Sequence, residues 1–130
     1  MHNIALVTDS ACDISCEFIQ KHNIKIIPLR INFSDKSLRD REEITPLELY
    51  DMLKTEIPKT SLPSSNDIYS VFQKVKDENF HEVLYIGISS GLSGTYNFIK
   101  MLGTEFFGSN FYSFDTKTLS SGEGLLVKKA

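Results

Sequence analysis

Four short apolar runs punctuate the chain, and amphipathic stretches separate them. Ile4-Ala5-Leu6-Val7 stops at Thr8-Asp9-Ser10. A run that is apolar on both faces suits a strand buried in a parallel sheet. Asp13 is placed to cap a helix over Ile14 to His22, with Phe18 and Ile19 on one face. Lys25 to Phe33 reads as a second strand, which alternates after Pro28 and so belongs nearer an edge. Ser34 to Glu43 is a polar turn with room for a small hairpin. Thr45-Pro46 opens a helix carrying Leu47, Tyr50, Met52 and Leu53 that ends near Pro58. Glu48, three residues after Thr45, completes a capping-box pattern.

Lys59 to Ser65 reads as a loop. Ser65 or Asn66 then caps a helix with Ile68, Val71, Phe72 and Val75 at helical spacing. Val83 to Ile88 is the third strand. Ser89 to Thr95 is a turn into a helix bearing Tyr96, Phe98, Ile99, Met101 and Leu102. Phe111 to Phe114 is the fourth strand, and Ser120-Ser121-Gly122 begins a last helix. Strands alternating with helices predict an α/β fold with a mainly parallel sheet flanked by helices. No internal repeat or low-complexity tract interrupts this order. The end, Gly124 to Ala130, reads as an amphipathic helix with no stop signal, so the chain is expected to be part of a longer protein.

Composition narrows the chemistry. The 130 residues carry a net charge of −3, with no basic stripe, which argues against a nucleic-acid partner. The densest basic group, Lys36, Arg39 and Arg41, is interleaved with Asp35, Asp40, Glu42 and Glu43 and reads as solvated. No apolar run approaches the ~18–20 residues of a membrane span, and no signal-peptide pattern opens the chain. The expectation is a cytoplasmic protein that is not integral to a membrane. Cys12 and Cys16 are too few for a disulfide scaffold and read as reduced thiols. They lie four apart, on one face if that segment is helical. His2, His22 and His81 are scattered and form no metal motif, so no metal site is expected.

In a parallel sheet, ligands bind outside the carboxyl ends of the strands. Thr8-Asp9-Ser10, Ser89-Ser90 and Asp115-Thr116 would share that edge. Asp9 and Asp115 serve equally well as caps of the following turns. The richest segment is Ser89-Ser90-Gly91-Leu92-Ser93-Gly94-Thr95-Tyr96. Its glycines admit close backbone approach, and the helix it opens offers free N–H groups to an anion. Neither nucleotide-loop spacing is present, and Leu92 suits a lipid better than a pyrophosphate. As a bare pattern, such a turn serves equally as a tight helix cap. A second hydroxyl cluster, Thr60-Ser61, is stiffened by Pro63, which biases Leu62 toward an extended backbone. It too reads as an ordinary turn on composition alone.

Taken together and in this order, several segments resemble the DegV family. They are Thr8-Asp9-Ser10, Pro28-Leu29, Lys59-Thr60-Ser61-Leu62-Pro63-Ser64, Ser89 through Tyr96, and Asp115 followed by Ser121-Gly122 and Gly124. The resemblance implies a bacterial protein that binds one long-chain fatty acid and needs no cofactor. It implies that Thr60, Ser61 and Ser93, with the backbone at Gly94 and Thr95, hold the carboxylate. It further implies a separate fatty-acid kinase as partner, to which a carrier presents its lipid. Family members are about twice this long, and the lipid lies between two domains. Residues 1–130 would then be an N-terminal domain with the second domain absent, leaving a face on which copies could self-associate. Asp115-Thr116 stands where the family usually has Asp-Ser.

Two rival readings remain at this level. One is a lipid-free interaction module built on a truncated DegV-like domain. The other is a hydrolase using Asp9, which is weakened because Ala11 stands where such enzymes carry a second aspartate. No nucleophile with an adjacent base is visible, so the expected role is carrier rather than enzyme.

Overall fold

The computed structural model describes residues 3–130; His2 lies outside them. Four strands form one parallel sheet: β1 (Ile4–Asp9), β2 (Lys25–Ile27), β6 (Glu82–Gly87) and β7 (Phe111–Asp115), in the order β2-β1-β6-β7. The central strands β1 and β6 are covered on both faces, which explains their unbroken apolar runs, whereas Tyr112 and Phe114 of the edge strand β7 stay half exposed. Ala5, Val7, Val83 and Tyr85 point toward α3 (Ser65–Asp77) and α4 (Thr95–Phe107), meeting Phe72, Val75 and Ile99. Leu6, Leu84 and Ile86 point the other way, toward α1 (Cys16–Lys21) and α5 (Ser120–Lys129). The chain leaves β1 over the α1 face and leaves β6 over the α4 face. The two crossovers therefore diverge between β1 and β6, and the carboxyl ends of that pair form the sheet's switch point.

The expected single strand over Lys25–Phe33 is two strands. Pro28 has no N–H to give to a ladder. Beside it, the Leu29 N–H donates to Ser10 Oγ at 2.9 Å, and the Leu29 carbonyl accepts from Asp40 N at 2.9 Å. The chain thereby leaves the parallel sheet and continues as β3 (Arg30–Asn32) in a second, antiparallel sheet. There β3 lies between β4 (Ser37–Arg39) and β5 (Lys59–Ser61). The small hairpin allowed for in Ser34–Glu43 is present, whereas Lys59–Ser61, expected as loop, is a strand. Its register pairs Thr60 with Ile31 and Ser61 with Arg30, partners about thirty residues away that no local pattern reveals.

Helix α2 (Pro46–Met52) covers this second sheet, with Leu49 and Met52 packed near Ile31, Phe33 and Ile44. It stops at Met52, short of Pro58. Thr45 Oγ1 accepts the Glu48 N–H at 3.2 Å, as its cap position requires. Leu47 and Tyr50 face outward, so the apolar residues of α2 do not form one buried stripe. The cap of α1 is Ser15, whose hydroxyl accepts from Phe18 N at 3.3 Å, and not Asp13. Asp13 instead ends a 3-10 turn over Ser10–Cys12, in the left-handed region at φ 51°. Cys12 therefore lies buried in that turn, while Cys16 is exposed at the start of α1, and no shared helix face joins them. Ser64, one residue before the expected position, caps α3 by accepting from Asp67 N at 3.1 Å. Asp67 in turn pairs with Arg30 at 2.7 Å and ties the second sheet to α3.

Candidate functional site

The strand ends meet on one edge, as the parallel registers require. At the switch point Asp9 is buried, and its carboxylate accepts three hydrogen bonds. Oδ2 takes the Tyr85 hydroxyl at 2.8 Å and the Ile88 N–H at 2.9 Å, and Oδ1 takes Ala11 N at 3.2 Å. Asp9 thus caps its turn and also fastens β1 to the exit of β6. Asp115 plays the matching part at the end of β7, accepting from Ser90 N at 3.2 Å and Lys117 N at 3.0 Å. The Ser90 hydroxyl also bonds Asp115, and with those N–H groups holds its carboxyl below the usual range.

Between these anchors the Ser89–Gly94 turn is bound by its own atoms. Gly91 N donates to Ser89 Oγ at 3.1 Å, Leu92 N to the Ser89 carbonyl at 3.0 Å, and Ser89 N to the Thr118 carbonyl at 2.9 Å. Ser93 Oγ accepts from Thr95 N at 3.1 Å and lies 2.8 Å from Thr95 Oγ1. Gly94 heads α4 with no side-chain cap, so the first turn of α4 keeps unsatisfied N–H groups on this edge. A Cβ at Gly94 would sit 3.6 Å from Leu62 Cδ2, so the turn and the β5 exit are in ordinary contact.

That contact closes one side of a groove of about 460 Å³. Leu29, Leu62, Ile88 and Leu92 supply its apolar lining, and Thr60, Ser61 and Ser93 supply hydroxyls. Of the five residues singled out from the sequence, the structure brings these three together. Gly94 stands behind Leu62, and Thr95 is buried beneath the turn with its hydroxyl against Ser93. Ser61 Oγ also accepts from Asn32 Nδ2 at 2.9 Å, which orients it. Asn32 was not anticipated; its role follows from the β3–β5 pairing.

Sequence reasoning also missed Glu123, which lies wholly buried on α5. A glutamate flanked by glycines carries no local sign of burial. Its neighbours, Thr8 and Asp9, are more than a hundred residues away. A second cleft, of about 390 Å³, lies at the opposite end of the sheet among Phe80, His81, Phe106 and Phe107, far from the hydroxyls. Among the described residues, no three His, Cys, Asp or Glu side chains gather as a metal site. No helix there is long and apolar enough to cross a membrane.

A parallel α/β sheet with a hydroxyl-bearing apolar groove at its switch point has the form in which α/β domains commonly hold small ligands. The DegV family profile, described as an uncharacterised protein of that family, matches residues 3–130, and the chain belongs to the DegV family. It is 42% identical over 129 residues to a DegV domain-containing protein of Clostridium acetobutylicum, covering 99% of this chain and 46% of that protein. A fatty-acid-binding DegV family protein from Thermus thermophilus superposes with TM-score 0.84 at 34% identity, over 99% of this chain and 46% of that one. A stearic-acid-binding protein from Eubacterium ventriosum gives TM-score 0.82 at 34% identity, again over 99% and 46%. The chain thus spans about half the length of the relatives it matches.

Proposed function

We propose that this chain forms a fatty-acid-binding half-site, in which Thr60, Ser61 and Ser93 grip the carboxylate and the Leu29–Leu62–Ile88–Leu92 wall takes the acyl chain. The observation that carries this reading is the convergence of three hydroxyls, from β5 and from the turn before α4, on one apolar groove. The N-terminus of α4, headed by the Gly94 backbone, adds positive potential on the same edge, although its Thr95 N–H is already given to Ser93 Oγ. The fatty acids bound by the Thermus and Eubacterium proteins agree with this choice of ligand.

The physical division of labour is uneven. Burying a methylene contributes about 0.8 kcal/mol, so a chain of ~16 could supply roughly 13 kcal/mol before ordering costs. A hydrogen bond to a charged group contributes about 1.5–3 kcal/mol. The groove wall sets affinity, and the hydroxyls set orientation and the choice of a carboxylate. In this reading the chain is a carrier, not an enzyme, acts in the cytoplasm without a cofactor, and presents the carboxylate to a separate fatty-acid kinase.

The test is retention of labelled stearic acid by the purified chain and its Ser93→Ala variant. The variant is expected to hold stearic acid about 10- to 100-fold more weakly, the loss of one charge-assisted hydrogen bond. Circular dichroism checks that α4 survives, because Ser93 also receives the Thr95 N–H. Equal retention by both proteins, or none by either, would count against the proposal.

A further inference from the structure

Asp9 and Glu123 are both fully buried, and they lie against each other where α5 meets the end of β1. Among the described residues no lysine or arginine pairs with either. Two uncompensated carboxylates in one buried site cannot both keep a negative charge. The donors decide which one does. Asp9 accepts from Tyr85, Ile88 and Ala11. Glu123 accepts from Thr8 Oγ1 alone, at 3.1 Å, and its Oε2 has no donor to receive. An oxygen that is buried and without a donor is a costly place for charge and a good place for a proton. Protonated there, Glu123 becomes a donor to Asp9.

We propose that Asp9 and Glu123 form a proton-sharing carboxyl pair that latches α5 onto the sheet behind the groove, so that rising pH loosens the groove wall at Ile88. The link to the wall is short. The Ile88 N–H ends on Asp9 Oδ2, and the Ser89 N–H ends on the Thr118 carbonyl, just before α5. The effect on a bound carboxylate lipid rests on the function proposed above; the latch itself does not.

Of the groups facing Glu123, Asp9 and Asp13 disfavour a second charge, and the Thr8 hydroxyl that donates to it favours one, to a lesser extent. β1 gives Thr8 and Asp9, β6 gives the Tyr85 phenol, and the 3-10 turn gives the Cys12 thiol. Asp13, the next carboxylate out, is paired with Arg41. Burial first, then Asp9, pushes the Glu123 carboxyl up from 4.5 to about 10. Because the folded value is raised, the stabilisation is complete below the ordinary value. It is lost progressively as pH climbs toward the folded one.

The test compares the chain with its Glu123→Gln variant, whose amide can still donate to Asp9 and accept from Thr8. Urea unfolding is followed from about pH 5 to about pH 9. The wild-type unfolding constant should rise with pH relative to the variant's, by up to about tenfold per unit for one proton. Infrared spectra at neutral pH should show a protonated-carboxyl stretch that Glu123→Gln removes. Parallel urea profiles, or no such band in the wild type, would overturn the latch, and the band can be read even if the variant folds poorly. Stearic acid retention at both ends of the range is the third reading. A wild type that releases the lipid at high pH more than Glu123→Gln does supports the link to the groove. Equal release overturns that link. A wild type that retains none at either pH refutes the lipid function, while the latch is still decided by urea and infrared.

Discussion

Gly124→Ala measures how tightly α5 is seated. In an exposed helix this change would stabilise by about 1 kcal/mol, because alanine loses less conformational freedom than glycine. Here a Cβ would fall 2.4 Å from the Cys12 carbonyl oxygen and 3.3 Å from Ile14 Cγ1. Ordinary C···O contact is about 3.3–3.6 Å, so α5 must retreat by roughly 1 Å. The obstacle is backbone, and Cys12 and Ile14 are themselves buried against Val127 of the same helix. No side chain can swing aside to make room. That places overpacking near the upper end of its usual range, about 3 kcal/mol. Set against the propensity gain, the net loss is about 2 kcal/mol, or roughly 8 °C in Tm for a chain of this size. Urea and thermal unfolding by far-ultraviolet circular dichroism read both quantities. A variant as stable as the wild type, or more so, would show that α5 does not rest on the Cys12 carbonyl.

Phe72, fully buried, meets Phe107 at 5.2 Å and Phe106 at 5.5 Å between centroids, so Phe72→Ala should cost about 3–5 kcal/mol, measured by urea unfolding. A loss below about 1 kcal/mol would mean that α4 collapses into the space. Burial pushes the Cys12 thiol up from 9.0 to about 11, whereas Cys16 is exposed. Iodoacetamide at about pH 8 should therefore label Cys16 at once and Cys12 only after denaturation, as peptide mass spectrometry would show. The same shift makes the Cys12 contribution to stability complete below 9.0 and lost as pH rises toward about 11. Rapid labelling of both cysteines in the native chain would contradict the seating of the 3-10 turn.

The sequence by itself determined the alternation of strands and helices, the four runs of the parallel sheet and the Gly/Ser turn that opens α4. These are local matters: apolar runs shaped by burial on two faces, and caps shaped by hydroxyls and glycines. The resemblance carried by Ser89–Tyr96 and Lys59–Ser64 named the family and pointed to Thr60, Ser61 and Ser93. Tertiary structure alone decided the rest. The break at Pro28-Leu29 depended on where the Leu29 N–H and carbonyl found partners, at Ser10 and Asp40. Lys59–Ser61 became a strand because β3 stood ready beside it, and its polar residues give no alternating pattern to announce that. Asp13 lost its cap role to Ser15 because the chain first had to turn under the sheet edge. Glu123 is buried only because β1 and α5, at opposite ends of the chain, close on one another. Hydrophobic period and capping are read within a few residues, whereas pairing partners and buried charge arise from contacts that exist only once the chain has folded.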